Sequence, residues 1–459
     1  MSKYPNEQTV GAVYDDASVD NPFLAAMPDM LPPEKLFDKI ESKPRIPHNM
    51  SLLTAEERRR QISVLNAVYI PMSYMYNLYD TLYRAIQTTY TTWTMLDEIR
   101  QINALFNNGE KISFSTGADS GSILGVPGIG KTSTIKRCLS TMPQVIEHTE
   151  YMGKPFYCKQ ILYLQVECPS DCSVKTLAFN ILAALDRAIG SHYLDNLTVL
   201  RSASASAAAT QVKILCITHH VGLILVDEIQ NAVVTARKNR QVKPLIKFLV
   251  ELTNDTCTGT YFVGTPLAEE LFVSQEHLKR RTRGMRLLPL KPDGAYLDFL
   301  NGIWGYQYTV KPASMTDKLA SKLYDYSGGI PAYIVKIFAE SQVQALLIGR
   351  SCIDEKIMQR AIDILAIKVP KTYAGGTYIS DFELDKSEDA TLTKQQPDSE
   401  KSGVPRMYAN KRGRKAEKRD NNDLILALKD GIDILHFLRE RSLIEDRREI
   451  SDTGGAGPC

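Results

Sequence analysis

Residues 125–132 read GVPGIGKT and fit the pattern G-x-x-x-x-G-K-[ST]. In this pattern glycines let backbone N–H groups turn inward toward phosphate oxygens, the lysine adds positive charge at the β- and γ-phosphates, and the last hydroxyl binds Mg²⁺. An apolar strand pattern precedes the segment, and a helical pattern over residues 133–139 follows it with its positive end at the same place. The sequence therefore predicts a nucleoside triphosphate site. Its predicted residues are Gly125, Val126, Pro127, Gly128, Ile129, Gly130, Lys131, Thr132 and Ser133.

Short β-branched runs alternate with helical patterns between residues 111 and 292. This alternation predicts an α/β domain whose parallel sheet is covered by helices on both faces. Residues 222–226 are apolar throughout, which is typical of a central strand buried on both sides. The predicted strands are 111–114, 122–124, 161–166, 221–226, 260–263 and 286–290.

Two carboxylates, Asp227 and Glu228, directly follow the predicted strand 221–226. We assign Asp227 to Mg²⁺ and Glu228 to the general base that polarises the attacking water. A solvated turn is the alternative interpretation, which the loop upstream disfavours. The strand 260–263 leads to Thr265, our candidate for ordering that water, and Asn254 is a weaker candidate.

A basic cluster, residues 278–283, precedes the last predicted strand. An arginine here can reach a nucleotide held by a neighbouring subunit, and its guanidinium fork suits the charge that grows on the γ-phosphate during transfer. We prefer Arg281 and then Arg280 for this role. A solvated basic turn is the alternative interpretation.

Changes in composition divide the chain into five predicted regions. An N-terminal arm and helical partner-docking region comes first, and a polar, basic linker and a final docking helix come last. The apolar anchors of the arm, such as residues 22–24, predict contact with a partner surface, whereas the tyrosines between residues 74 and 90 fit either a helical core or a docking surface. The regions are 1–110 (arm and helices), 111–292 (α/β core), 293–375 (helical lid, broken at 327–331), 376–422 (linker) and 423–459 (helix and tail).

Charge and cysteine content restrict the possible functions. The formal net charge is only +2, so any nucleic-acid contact must come from local basic patches or from a surface that assembly concentrates. Cys168 and Cys172 form a C-x3-C pair without a second ligand pair at zinc spacing, so we expect no metal site there. No apolar run approaches the roughly 20 residues of a membrane helix, and no signal peptide opens the chain. We therefore expect a cytoplasmic protein without a membrane role.

The order of these motifs resembles that of the AAA+ ATPases. Further phrases narrow the resemblance to the TnsC/TniB regulators of Tn7-like DNA transposition, including those of CRISPR-associated transposons. The similarity covers residues 20–370 in segments. The phrases are DEIQN (227–231), GTPLAEELF (264–272), IWGYQY (303–308), NPFL (21–24) and LPP (31–33).

The resemblance implies an α/β AAA+ P-loop ATPase with a parallel central sheet and a C-terminal helical lid, plus a helical N-terminal extension and a C-terminal linker with a helix. It implies Mg²⁺-dependent hydrolysis of ATP, which controls assembly of a heptamer-like ring or helical filament on double-stranded DNA. The implied partners are a target selector of the TnsD/TniQ type, a transposase of the TnsB type and, for the longer members, a TnsA-type endonuclease. The implied location is the bacterial cytoplasm, in association with the nucleoid when on DNA.

The same resemblance places a DNA-backbone contact at Lys175, assisted by Thr176. A solvated lysine at a helix start is the alternative. Phosphate contacts carry little sequence information, which suits a protein whose target is chosen by a partner. The lid turn lacks the arginine that many relatives use as a second sensor, and Lys336 is a possible substitute. Further candidates for phosphate contact are Arg237, Lys238 and Arg240.

Two functions of other classes remain as alternatives. A nucleotide-switched, STAND-like signalling scaffold without a DNA role fits the loop and the lid turn equally well, and DNA-stimulated ATP turnover separates it from the regulator. A nuclease or recombinase is disfavoured because no acidic triad occurs at suitable spacing.

Overall fold

The computed structural model describes residues 8–14, 21–47, 50–92, 101–102, 104–105, 119–199, 204–233, 242–269, 271 and 284–367. The chain divides into two compact units, Met1–Leu392 and Thr393–Cys459, and all described residues belong to the first. Several predicted features lie outside the described residues: the strand 111–114, Arg237, Lys238, Arg240, Arg280, Arg281, the linker and the final helix.

A five-stranded parallel sheet forms the centre of the first unit, as the alternating pattern predicts. The strand order is β5-β6-β7-β2-β8, so that all five strands end at one edge of the sheet. The predicted strand 161–166 is divided at Leu162 between two strands that belong to different sheets. The strands are β1 Thr9–Gly11, β2 Ser120–Gly125, β3 Val145–Tyr151, β4 Lys154–Ile161, β5 Tyr163–Glu167, β6 Leu223–Asp227, β7 Gly259–Gly264 and β8 Met285–Leu287.

Helices cover both faces of this sheet and form the lid. None of the described helices is long and apolar enough to cross a membrane. The helices are α1 Pro22–Ala25, α2 Pro33–Ile40, α3 Ala55–Gln61, α4 Ser73–Thr92, α5 Lys131–Leu139, α6 Val174–Ile189, α7 Tyr193–Val199, α8 Ala205–Thr218, α9 Val242–Thr256, α10 Gly294–Trp304, α11 Asp317–Ser327, α12 Pro331–Leu347 and α13 Glu355–Leu365.

The central strand β6 shows why the sheet is buried on both sides. Its residues alternate between two faces, as in any strand. Ile224 and Val226 lie in a core with α6, α8 and α9, whereas Leu223 and Leu225 lie in a second core with α4 and α5. All four side chains are fully buried, and each contributes about 1.5–3 kcal/mol relative to an exposed position.

The N-terminal region packs on the same sheet. Tyr79, Tyr83 and Tyr90 of α4 are buried, so these tyrosines are core residues rather than a docking surface. Phe23 is also buried, and its ring stacks on His220 with 3.9 Å between the ring centroids. This anchor of the arm therefore packs within its own chain, contrary to the expectation that it needs a partner. The reason is that strands β3 and β4, which the sequence analysis does not predict, provide part of the surface: the Phe23 ring contacts His148 of β3 and Phe156 of β4.

The described part of the lid consists of α10 to α13, which share one apolar core with residues 62–65. The predicted break lies between α11 and α12, where Gly328 caps α11 in the left-handed region with φ of 59°. The buried guanidinium of Arg58 donates to the backbone oxygens of Tyr308 and Thr309 and so joins α3 to the lid.

Candidate nucleotide site

The predicted phosphate loop connects β2 to α5. Gly128 and Gly130 have φ of 81° and 97°, a region that L side chains rarely adopt, and Gly130 is the N-cap of α5. This conformation turns backbone N–H groups into a concave surface at the positive end of the helix. The lid meets the loop at this point, because the Ala332 N–H donates to the Gly128 oxygen at 3.2 Å.

Lys131 lies along the loop that precedes it. Its Nζ donates to the backbone oxygens of Gly125 at 2.7 Å and Val126 at 3.3 Å. Burial lowers the pKa of Lys131, and the charges of Asp227 and Glu228 oppose that shift. The lysine charge is therefore held at the loop, largely out of water, where a phosphate oxygen can replace a backbone oxygen.

Thr132 and Asp227 are in direct contact although they are far apart in sequence. The Thr132 hydroxyl donates to Asp227 Oδ2 at 2.8 Å, and the Asp227 side chain is nearly buried. A hydroxyl and a carboxylate are oxygen ligands that suit Mg²⁺. Within the described ranges, no group of three or more His, Cys, Asp or Glu residues can hold a metal. These two residues fit a Mg²⁺ ion that takes its other ligands from phosphate and water, as Mg²⁺ usually does.

Glu228 begins the turn that leaves β6. Its φ is 56°, in the left-handed region, and its backbone N–H donates to Asp227 Oδ1 at 2.8 Å. The next N–H, that of Ile229, donates to the Val263 oxygen of β7 at 3.1 Å. The turn is therefore attached to the end of the neighbouring strand, while the Glu228 side chain remains exposed.

Gln230, which the sequence analysis does not propose as a site residue, joins Glu228 to the carboxyl end of β7. Gln230 donates from Nε2 to Glu228 Oε2, and its Oε1 accepts from the Thr265 N–H at 3.1 Å. Thr265 thus lies at the same end of the sheet as the carboxylates. The only sequence signal for Gln230 was its place inside the DEIQN phrase, because the contact depends on the pairing of β6 with β7.

Asn254 lies at the other edge of the sheet. It is exposed on α9, which ends just before β7 begins, whereas Thr265 follows the end of β7. The helix α9 precedes β7 in the chain, so its last turn, which contains Asn254, lies near the amino end of that strand. The prediction of Asn254 as a water-ordering residue is therefore wrong.

Lys175 and Thr176 lie at the start of α6, which follows the carboxyl end of β5. Lys175 is partly buried, and its Nζ lies 5.4 Å from the ring centroid of Phe179. The Thr176 hydroxyl donates to Asp171 Oδ2 at 2.8 Å, and the Thr176 N–H donates to the side chain of the N-cap residue Ser173. Both residues therefore lie near the carboxyl edge of the sheet, where the phosphate loop lies, and the Thr176 hydroxyl is hydrogen-bonded to Asp171.

The lid contacts the loop through residues that precede Lys336. Ile330 and Ala332 lie closest to Gly128, where an added Cβ would be 3.2 Å from Ile330 Cγ2 and 3.1 Å from Ala332 Cβ. Lys336 is exposed on α12. Its role as a second sensor stays a prediction.

Residues 115–272 match the family described as "AAA domain". No curated protein is significantly similar to the chain in sequence. Several solved structures are similar in part. The ORC2 protein of Aeropyrum pernix (ADPNP-ADP complexes) is 14% identical with a TM-score of 0.40 over 70% of this chain and 74% of that chain. The ORC of Drosophila bound to DNA is 14% identical with a TM-score of 0.42 over 73% and 75%. A RuvB variant of Thermotoga maritima is 14% identical with a TM-score of 0.32 over 69% and 75%.

These structural similarities are too low to carry an argument about activity or partners. The fold is identified by the matched family together with the parallel sheet and the phosphate loop at its edge. The chain has the AAA+ P-loop fold, and residues 115–272 of it match the AAA domain family.

Proposed function

We propose that this protein is an ATP-dependent regulator of DNA transposition that assembles as a ring or filament on double-stranded DNA. It links a target selector of the TnsD/TniQ type to a transposase of the TnsB type, and ATP hydrolysis controls its assembly. The observation that carries the ATPase part is the contact of the Thr132 hydroxyl with Asp227, beside Lys131 and Glu228. The motif phrases of the TnsC/TniB family support the transposition part.

The side chains of the site divide the work of phosphoryl transfer. Lys131 binds the β- and γ-phosphates, and Thr132 and Asp227 would hold Mg²⁺, which withdraws charge from the phosphates when bound. Glu228 takes a proton from the attacking water, and Thr265 orders that water. Arg281, with Arg280 as the second choice, completes the site of a neighbouring subunit. This last assignment makes hydrolysis depend on assembly.

The proposed DNA contact lies at the same edge of the sheet as the nucleotide. Lys175 is partly buried and lies in the first turn of α6, the helix that follows the carboxyl end of β5. A phosphate contact from this position couples DNA binding to the edge that holds the nucleotide. Arg237, Lys238 and Arg240 are proposed as additional phosphate contacts, and a TnsA-type endonuclease as a partner of the C-terminal region.

The test is steady-state ATP hydrolysis with and without double-stranded DNA. We expect DNA to raise the rate severalfold, with a steep dependence on salt because phosphate contacts release counterions. Lys131→Ala should abolish nucleotide binding, and Lys247→Ala, which changes an exposed lysine of α9, is the matched control. A rate that double-stranded DNA does not change would favour the signalling scaffold, and retained ATP affinity in Lys131→Ala would refute the loop assignment.

A further inference from the structure

We infer that Gln230 is a positioning residue for ATP hydrolysis: its amide group fixes the general base Glu228 to the tip of β7. The inference rests on the proposed ATPase function and adds a residue to it. The hydrogen bonds described for the Gln230 side chain join it to Glu228 and to the Thr265 N–H. It acts through the carboxylate of Glu228.

The orientation of the amide follows from its two neighbours. The Thr265 N–H can only donate, so Gln230 Oε1 must face it, at 3.1 Å. The NH₂ group is then left facing Glu228 Oε2, which as a carboxylate oxygen can only accept. Both bonds are satisfied in one orientation, and a rotated amide would place like atoms opposite each other at both ends.

Gly264 leaves the space that this amide occupies. A Cβ added at Gly264 would lie 2.5 Å from Gln230 Oε1 and 2.9 Å from Ile229 Cγ2. Gly264 is the last residue of β7, directly before Thr265. The sequence therefore has a residue without a side chain where the Gln230 amide approaches the strand tip.

The backbone at Glu228 makes this support necessary. Glu228 is in the left-handed region with φ of 56°, and its side chain is exposed. An exposed glutamate has several rotamers of similar energy, so the backbone alone does not fix where the carboxylate lies. The turn is attached to β7 by the bond from the Ile229 N–H to the Val263 oxygen, and Gln230 adds a side-chain attachment that includes the carboxylate.

The consequence for catalysis is geometric. A general base must lie within hydrogen-bond reach of the proton that it takes, and small misplacements lower the rate strongly. Gln230 holds Oε2 of Glu228 and leaves Oε1 for the water. Because the amide is neutral, it orients the carboxylate without forming an ion pair, which would make the carboxylate a weaker base. The same amide ties the base to Thr265, the residue proposed to order that water.

The first test is the single-turnover rate of ATP hydrolysis in one variant and its matched control, both made in the full chain. Gln230→Met keeps the side-chain volume and removes both bonds, and we expect the rate to fall about 10- to 100-fold. ATP affinity, measured with a fluorescent analogue, should change less than about threefold, since the phosphate loop is untouched. Gln359→Met is the matched control, because Gln359 also donates from its amide to a carboxylate, Asp363, at 2.7 Å on the remote helix α13.

Gln230→Glu separates positioning from a merely structural role. It retains the acceptor for Thr265 and places a second carboxylate beside Glu228. We expect the acidic limb of the rate–pH profile to move to higher pH, because adjacent carboxylates disfavour each other's ionisation. A wild-type rate in Gln230→Met, a faster rate, or equal losses of rate and affinity with an unmoved pH profile would each overturn the inference.

Gly264→Ala tests the same contact without changing Gln230. Its methyl group displaces the amide, so the rate should fall as in Gln230→Met, and the double variant should be no slower than the slower single variant. Additive losses would overturn the inference. Circular dichroism identifies the folded variants, and if Gly264→Ala does not fold, the two Gln230 variants decide. A wild-type protein without hydrolysis would instead refute the proposed function itself.

Discussion

At the scale of single residues, the site depends on contacts between side chains that the sheet brings together. Asp227 accepts from the Thr132 hydroxyl and from the Glu228 N–H, so that one carboxylate joins the loop to the end of β6. Each of these oxygens and N–H groups has a defined partner in the described part of the chain. Lys131 is the basic residue of the phosphate loop, and the charges of Asp227 and Glu228 favour its protonated form.

Glu228→Gln separates binding from hydrolysis. The amide keeps the size of the side chain and cannot take a proton from water, so we expect the hydrolysis rate to fall about 100-fold or more, with ATP affinity little changed. Phosphate release and nucleotide titration measure the two quantities, and Glu34→Gln on the exposed face of α2 is the control. Turnover near the wild-type rate would show that another group is the base.

Part of this site is predictable from the sequence, and part depends on strand register. Lys131, Thr132 and Asp227 stand in local patterns whose chemistry follows from spacing alone. Gln230 does not, because its importance comes from lying opposite Thr265, which is 35 residues away along the chain. The prediction of Asn254 fails because this residue is near β7 in sequence but lies at the amino end of that strand, away from Thr265.

At the scale of elements, the arm is joined to the strand β3 by a buried histidine. His148 Nε2 donates to Gln160 Oε1 at 2.9 Å, and its Nδ1 accepts from the Tyr14 hydroxyl at 2.7 Å. Gln160 in turn donates from Nε2 to the Phe23 oxygen, which fixes its orientation. Burial lowers the pKa of His148 to about 4, so the imidazole is neutral near pH 7, and the Gln160 acceptor places its proton on Nε2. These contacts join residues of the arm to the small sheet.

This histidine makes stability depend on pH. Burial lowers the pKa of His148 from 6.5 to about 4, so between these values the unfolded chain binds a proton that the folded chain does not. The free energy of unfolding therefore rises with pH across this window. As pH falls from 6.5 to 4, the contribution of His148 decreases the free energy of unfolding by up to about 3 kcal/mol. His219, whose pKa burial also lowers to about 4, adds a loss of the same sign.

Thermal unfolding between pH 4 and 7 measures this effect. His148→Gln should reduce the pH dependence of the midpoint, because one of the two histidines with a lowered pKa, His148 and His219, no longer titrates. His192→Gln changes an exposed histidine and is the matched control. An unchanged pH dependence in His148→Gln would contradict the assignment of the neutral imidazole.

At the scale of the whole molecule, the sequence predicts the architecture of the sheet and lid, but it does not predict how the N-terminal arm packs. The alternation of strand and helix patterns predicts the parallel sheet, and the helical pattern after residue 293 predicts the lid. The apolar anchors of the arm are isolated in a polar stretch, and this pattern predicts a partner-docking segment. Their burial depends on β3 and β4, and exposed alternating strands of this kind carry a weak sequence signal.

The most direct test of the central claim is electron microscopy of the purified full chain with and without double-stranded DNA, in ATP, ADP and a non-hydrolysable analogue. We predict rings or filaments that require both DNA and a triphosphate, with longer assemblies in the analogue than in ATP, because hydrolysis limits assembly. Dispersed particles in every condition, or assemblies that form equally well in ADP or without DNA, would contradict the account.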